Sequence, residues 1–257
     1  MSVTPKKALG QHFLVDRNIL GVVGRLAQLA REDVVLEVGP GLGILTAYLA
    51  ERVRLVHAVE LDKSLEAPLH EALAGRGNVV LRFEDALSLD LAGLDPPPSK
   101  LVANLPYNVA TPIVVETLEH ARSLERWCVM VQRELADRFF AEPRTKAYSA
   151  VSVLVQLAAR RVGFHPVPPT VFRPRPRVES ALVAFVRVSG PPLEEVRPLV
   201  EAAFAHRRKT LVNSLTLAGA TSRRLAEEAL VALGLPLGIR AEELAPRQFV
   251  ELAEALA

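Results

Sequence analysis

Four consecutive residues, Asn104, Leu105, Pro106 and Tyr107, could make an ordinary turn, but at the end of a strand they also offer an amide, a backbone carbonyl and a ring face to a flat ligand that bears an amine. An exocyclic purine amine is a poor nucleophile because its lone pair is delocalised into the ring. The Asn104 side-chain oxygen and the Leu105 carbonyl can each accept one N–H of such an amine, favouring a pyramidal nitrogen with its lone pair aimed outward. Pro106 brings no N–H and stiffens the turn, while Tyr107 offers a ring face to a base, an interaction worth about 1–3 kcal/mol. Upstream, Glu37-Val38-Gly39-Pro40-Gly41-Leu42-Gly43 has the glycines of a tight turn that lets backbone approach a ligand. Glu60 follows Gly39 by 21 residues, where a carboxylate can accept both hydroxyls of a ribose, and Asp85 can accept an adenine N–H.

These residues gain meaning from the elements that carry them. Strand-length apolar runs at 34–38, 55–60, 79–83, 100–103 and 127–131 alternate with helical patterns at 43–52, 63–74 and 111–120. The last pattern predicts Pro112 at the first helical position behind a capping Thr111, and a helix over 17–31 is expected behind a capping Asp16. Repeated β-α units build a parallel sheet with helices on both faces. The glycine turn, Glu60, Asp85 and Asn104 then fall at the carboxyl ends of four strands, where open α/β sheets bind ligands, so a nucleoside-containing cofactor is expected. A helix at 147–160 and an antiparallel pair at 162–167 and 181–188 should close the sheet edge. Ser189-Gly190-Pro191-Pro192 is the clearest break, and helices follow at 193–206, 209–217, 223–233 and 246–256. The expected organisation is a Rossmann-like α/β domain over 1–188 and a small all-α domain over 189–257.

With 257 residues, half of them hydrophobic and 23% charged, the chain is neither disordered nor fibrous. No apolar run reaches the ~18 residues of a membrane span, and the basic N-terminus leads into His12 and Asp16 rather than a signal-peptide core, so a cytoplasmic location is expected. The single cysteine, Cys128, sits in an apolar run, which excludes an internal disulfide and argues against both a metal cluster and a nucleophilic thiol. The formal net charge of +2 hides an asymmetry: residues 142–224 hold 14 Lys plus Arg against 5 Asp plus Glu. A concentrated basic stretch is the electrostatic footprint of a polyanion or a plain solvated surface, and charge alone suits both equally.

The G-x-G-x-G spacing, with Ile at position 44, resembles an S-adenosylmethionine-binding loop more than a dinucleotide loop. Asn104 to Tyr107 resemble the [D/N/S]-[P/L]-P-[Y/F] signature of methyltransferases acting on exocyclic amines of nucleobases. Nearly the whole chain resembles the ribosomal RNA adenine dimethylases of the KsgA type. The markers are Lys7-Ala8-Leu9-Gly10-Gln11-His12-Phe13-Leu14, the glycine motif, Glu60, Asp85, Asn104-Leu105-Pro106-Tyr107-Asn108, Phe172-Arg173-Pro174-Arg175-Pro176-Arg177-Val178-Glu179-Ser180 and Arg207-Arg208-Lys209-Thr210-Leu211.

That resemblance implies a class I S-adenosylmethionine-dependent enzyme that places two methyl groups on N6 of each of two adjacent adenosines in the 3′-terminal hairpin of 16S rRNA. Its partner would be the small (30S) subunit or a precursor, and a monomer without metal is expected. It further implies cofactor contacts at Gln11, His12, Leu14, Gly39, Gly41, Glu60, Leu61, Asp85, Ala86 and Asn104. Asn104 to Tyr107 would hold the target base, with Phe172 completing its pocket opposite Tyr107. Arg173 and Arg175 on a proline-stiffened loop, with Arg207, Arg208 and Lys209 beginning a helix, would meet RNA phosphates. His12 departs from the Asn usual in bacterial members, so a backbone contact is the expectation there. Two rival readings are a related large-subunit RNA methyltransferase and an assembly factor whose binding outweighs its chemistry.

Overall fold

The computed structural model describes residues 5–6 and 9–257; Lys7 and Ala8 of the first family marker lie outside them. The first elements are β1 (Phe13–Leu14), α1 (Asn18–Ala27), β2 (Val34–Val38), α2 (Ile44–Ala50), β3 (Leu55–Val59), α3 (Glu66–Ala72), β4 (Val79–Arg82), β5 (Lys100–Asn104), α4 (Ala110–His120), β6 (Arg126–Gln132) and α5 (Arg133–Phe139). There follow α6 (Ala150–Ala158), β7 (Ala159–Val167), β8 (Phe172–Arg173), β9 (Ser180–Arg187), α7 (Leu193–Phe204), α8 (Leu211–Leu217), α9 (Arg223–Ala232) and α10 (Pro246–Leu256).

Seven strands form one sheet in the order β4-β3-β2-β5-β6-β9-β7, and β1 pairs with β8 in a separate antiparallel ribbon. Strands β4 to β6 run parallel, whereas β9 is antiparallel to β6. All five residues of β2 are buried because helices cover both faces, which is why its apolar run is continuous rather than alternating. Chain order reverses between β2 and β5, the switch point at which such sheets leave a crevice. On one face, Leu20, Val23 and Ala27 of α1 join Val35, Val102 and Cys128 in the core. Burial pushes the Cys128 thiol up to about 12, so it stays protonated and is no nucleophile.

Helix ends depart from expectation for local reasons. Val109 precedes α4, so Pro112 is its third residue and Thr111 its second; Pro112 is still within the first turn, where its missing N–H breaks no helical bond. Helix α1 stops at Ala27 because Gln28 adopts a left-handed conformation at φ 50. The Asp16 carboxylate does accept the Asn18 N–H at 2.8 Å.

The described chain divides into two compact units, residues up to 136 with 161–187, and 137–160 with 188–257. The sequence placed 147–160 with the α/β domain, but α6 belongs with the C-terminal helices. Seven of its nine residues are buried, far more than a helix covering one sheet face requires, and it packs on α7 and α10. Within the second unit, Phe204 lies 5.9 Å from the Tyr148 ring and 5.8 Å from Phe249, and the Tyr148 hydroxyl donates to the Leu244 carbonyl.

Candidate active site

A cleft opens at the carboxyl ends of β2 to β5, at the switch point. It is lined by Gln11, His12, Leu14, Gly39, Gly41, Glu60, Leu61, Asp85, Ala86, Asn104, Leu105, Pro106 and Tyr107, and also by Glu37. Every cofactor and catalytic position expected from the sequence is therefore brought together except Phe172.

One side of the cleft is the glycine loop. Gly39 and Gly41 have φ of 75 and 59, a region open mainly to glycine. The Gly41 N–H donates to Glu60 Oε2 at 3.1 Å, and the Asp62 N–H donates to Glu60 Oε1 at 2.9 Å. These two bonds fix the Glu60 carboxyl at the end of β3. Burial raises its pKa, the two N–H donors oppose that rise, and the Asp62 charge adds to it. Asp85 is exposed at the cleft mouth, one carboxylate oxygen held by the Leu87 N–H at 2.9 Å. A Cβ on Gly41 would meet Phe13 Cδ1 at 2.9 Å. Gly41→Ala is therefore expected to destabilise the protein by about 1–2 kcal/mol, from backbone strain and displacement of Phe13, which thermal unfolding would record.

Glu37 was legible only as the acid before the glycine motif. It is 1% exposed, and its Oε2 has no hydrogen-bond partner. Burial pushes its pKa up to about 8; the Thr46 hydroxyl opposes that rise and the Glu60 charge adds to it. A buried acid with an unused oxygen at the cleft wall suits a cationic ligand group.

The other side of the cleft is the Asn104 tetrapeptide. Asn104 Nδ2 donates to the His12 carbonyl at 3.0 Å, leaving Oδ1 as the amide's acceptor end. The Leu105 N–H donates to the Met130 carbonyl at 3.0 Å, tying the turn to β6. A Cβ on Gly39 would lie 3.3 Å from Pro106 Cδ, so the glycine loop and the tetrapeptide pack side by side. The Tyr107 hydroxyl is hydrogen-bonded to Ser180 Oγ at 2.6 Å, which fixes the ring. Burial raises the Tyr107 pKa against the lowering effect of Ser180, so the phenol is neutral at physiological pH.

Phe172 corrects the sequence reading. Its side chain has no exposed surface and packs in the core with Leu14, Val171 and Leu182, because strand β8 turns it inward beside β1. The ring near Tyr107 is instead His12, 5.4 Å away, whose Nδ1 is 2.7 Å from the Pro174 carbonyl and so carries the proton. Arg173 and Arg175 are exposed as expected. Arg207, Arg208 and Lys209 are also exposed, but they precede α8 rather than begin it, since Thr210 caps that helix by accepting the Asn213 N–H. Arg207 Nη2 donates to the Lys146 and Tyr148 carbonyls at 3.3 and 3.0 Å, a structural duty the sequence did not reveal. Arg223 and Arg224 pair with Glu227 and Glu228 one turn on, as a solvated helix face does. Among the described residues no group of acidic, His or Cys side chains is arranged to hold a metal, and no helix is long and apolar enough to cross a membrane.

A parallel sheet that reverses at β2 and β5, an antiparallel β9 inside the edge strand, and a glycine loop facing an Asn-Leu-Pro-Tyr turn define a Rossmann-like methyltransferase. The family model described as ribosomal RNA adenine dimethylase matches residues 3–257. The chain belongs to that family. A ribosomal RNA small subunit methyltransferase A from Rubrobacter xylanophilus is 50% identical over 250 residues, 96% of this chain and 94% of that one. A solved dimethyladenosine transferase from Plasmodium falciparum has the same fold, with a TM-score of 0.78 at 22% identity, covering 94% of this chain and 96% of that one. The structure of the 23S rRNA methyltransferase ErmE matches with a TM-score of 0.65 at 31% identity, covering 95% of this chain and 99% of that one.

Proposed function

We propose that this enzyme transfers methyl groups from S-adenosylmethionine to N6 of two adjacent adenosines in the 3′-terminal hairpin of 16S rRNA, acting in the cytoplasm on the small subunit or its precursor during biogenesis. The observation that carries the reading is the Asn104 amide, whose nitrogen is committed to the His12 carbonyl while its oxygen remains for an amine beside the glycine loop.

The residues present fit the cofactor. The positive φ of Gly39 and Gly41 makes the tight turn that brings backbone up to a nucleoside, Glu60 suits its ribose hydroxyls, Asp85 its adenine amine, and the unpartnered Glu37 Oε2 a cationic ammonium. Gln11, His12, Leu14, Leu61 and Ala86 complete the walls. When bound, S-adenosylmethionine supplies an electrophilic methyl group. Asn104 Oδ1 and the Leu105 carbonyl hold the two N–H groups of the target amine, and Tyr107 stacks the extruded base. No general base is required, because the methylated amine is acidic enough to lose its proton to solvent.

Arg173, Arg175, Arg208 and Lys209 serve RNA phosphates in this reading. Replacing Arg208 and Lys209 by alanine is expected to weaken RNA binding and flatten its log–log salt slope by about one unit for each phosphate no longer neutralised. Arg207→Ala is expected to lower the melting temperature of the second unit, since it holds the Lys146 and Tyr148 carbonyls. Fluorescence titration at several salt concentrations, with thermal unfolding, separates these outcomes.

The structural match to ErmE supports a second reading, a large-subunit substrate, although the small-subunit relative is the more similar in sequence. Labelled methyl transfer to unmodified small and large subunits, followed by mapping of the modified nucleotides, decides. Label confined to the two hairpin adenosines supports the proposal, and label in 23S rRNA overturns it.

A further inference from the structure

Asp62 lies outside the cleft lining, two residues beyond Glu60, with its side chain only 2% exposed. Its carboxylate accepts four hydrogen bonds: from Lys6 Nζ at 2.6 Å, Gln11 Nε2 at 2.9 Å, Ser64 Oγ at 2.6 Å and the Ser64 N–H at 3.0 Å. The Gln11 amide oxygen in turn accepts the Lys6 N–H at 2.7 Å. Burial acts to raise the Asp62 pKa, but the donors Lys6, Ser64 and Gln11 outweigh it and hold the carboxyl well below the usual range. A surface ion pair of this kind would contribute little, but a buried carboxylate with charge-assisted partners is costly to leave unpaired.

We propose that Asp62 is a positioning residue: it latches the segment ending at Gln11 across the cleft and, through the His12 carbonyl, sets which end of the Asn104 amide meets the acceptor amine. This rests on the roles given above to the cleft and to Asn104.

The covalent path is short. Gln11 is anchored on Asp62, the adjacent His12 carbonyl accepts Asn104 Nδ2, and Phe13 starts the ribbon with β8. A single residue therefore separates the latch from the ribbon, and that residue holds the Asn104 amide. Leu9 and Gly10, between Lys6 and Gln11 in the chain, also line the cleft, so the latched segment forms part of its wall. With the latch released, the His12 carbonyl keeps only its ribbon-side support. The Asn104 amide can then turn over and present its NH2, a donor, where an acceptor is needed.

A plainer role exists, since Asp62 also caps the turn at Lys63–Leu65 by accepting the Ser64 N–H. Asp62→Asn keeps an acceptor for that cap but loses the charge that holds Lys6, and Lys6→Met removes the partner at an exposed position. The test compares both variants of the full chain with wild type by hydrogen exchange of residues 9–14 without ligand, by NMR protection of the Asn104 side-chain NH2, and by single-turnover methyl transfer at saturating S-adenosylmethionine. The latch predicts exchange of the segment faster by about tenfold, an unprotected Asn104 NH2, and a transfer rate down about tenfold, the effect of ~1.4 kcal/mol, together with a lowered melting temperature from loss of the buried ion pair. Wild-type exchange and wild-type transfer in both variants overturn it, as does a lowered melting temperature with neither effect. Should wild type transfer no methyl from S-adenosylmethionine, the proposed function fails, while the exchange and NMR measurements still judge the latch.

Discussion

Asn104→Ala is expected to reduce methyl transfer by about 10²–10³-fold while S-adenosylmethionine affinity stays within about tenfold. The two ends of the Asn104 amide have different duties. Its Nδ2 is donated to the His12 carbonyl, and that bond orients Oδ1 as acceptor. Truncation removes the acceptor and leaves the amine delocalised, so the loss appears in the chemical step rather than in ground-state binding. Asn104→Asp sharpens the test, because it keeps oxygen acceptors but has no N–H for the His12 carbonyl, so the carboxylate is repelled by that oxygen. Its transfer rate should be low as well, even though the altered residue is nearly isosteric. Rapid-quench measurement of transfer at saturating cofactor, with calorimetric cofactor binding, checks both variants. Turnover at the wild-type rate in Asn104→Ala would remove this residue from the reaction.

The parts of this site that the sequence revealed are those whose signal is local. Apolar runs at 34–38 and 55–60 located two buried parallel strands to within a residue, because a strand covered on both faces has no polar alternation to mislead, and the run at 79–83 located the partly exposed edge strand β4 equally well. The glycine loop, Glu60, Asp85 and the Asn104 turn then fell at the strand ends without further assumption. Long-range features were silent. The β1–β8 ribbon pairs two residues with two, far too short for a periodic signature, yet it carries His12 to Asn104 and turns Phe172 inward. Arg207 belongs to a basic run in the sequence, and nothing nearby indicates that its guanidinium holds carbonyls some 60 residues upstream. The placement of α6 was ambiguous for a similar reason: a helix apolar on all sides suits either unit, and tertiary packing decides.

Glu37 combines a visible motif with an invisible environment, and its consequence is a pH dependence of stability. Its carboxyl ionises near 4.5 when exposed and at about 8 in the folded protein without ligand. Below 4.5 the acid is neutral in both states, and its contribution to stability is fully present. Between 4.5 and 8 the unfolded chain has lost the proton while the folded chain retains it, so stability falls as pH rises, and above about 8 the loss is complete. From pH 6 to pH 9 the expected loss is about 2–3 kcal/mol, or roughly 5–10 °C in melting temperature. Glu37→Gln is the control: it keeps the shape, cannot ionise, and should remove most of the difference. A cationic group bound in the cleft would favour the ionised acid. Ligand binding near pH 7 should therefore release a proton in wild type and not in Glu37→Gln, and calorimetry in buffers of different ionisation enthalpy would record it. If the stability loss from pH 6 to pH 9 is the same in both proteins, Glu37 is not the group that titrates, and its unpartnered oxygen has no part in binding charge.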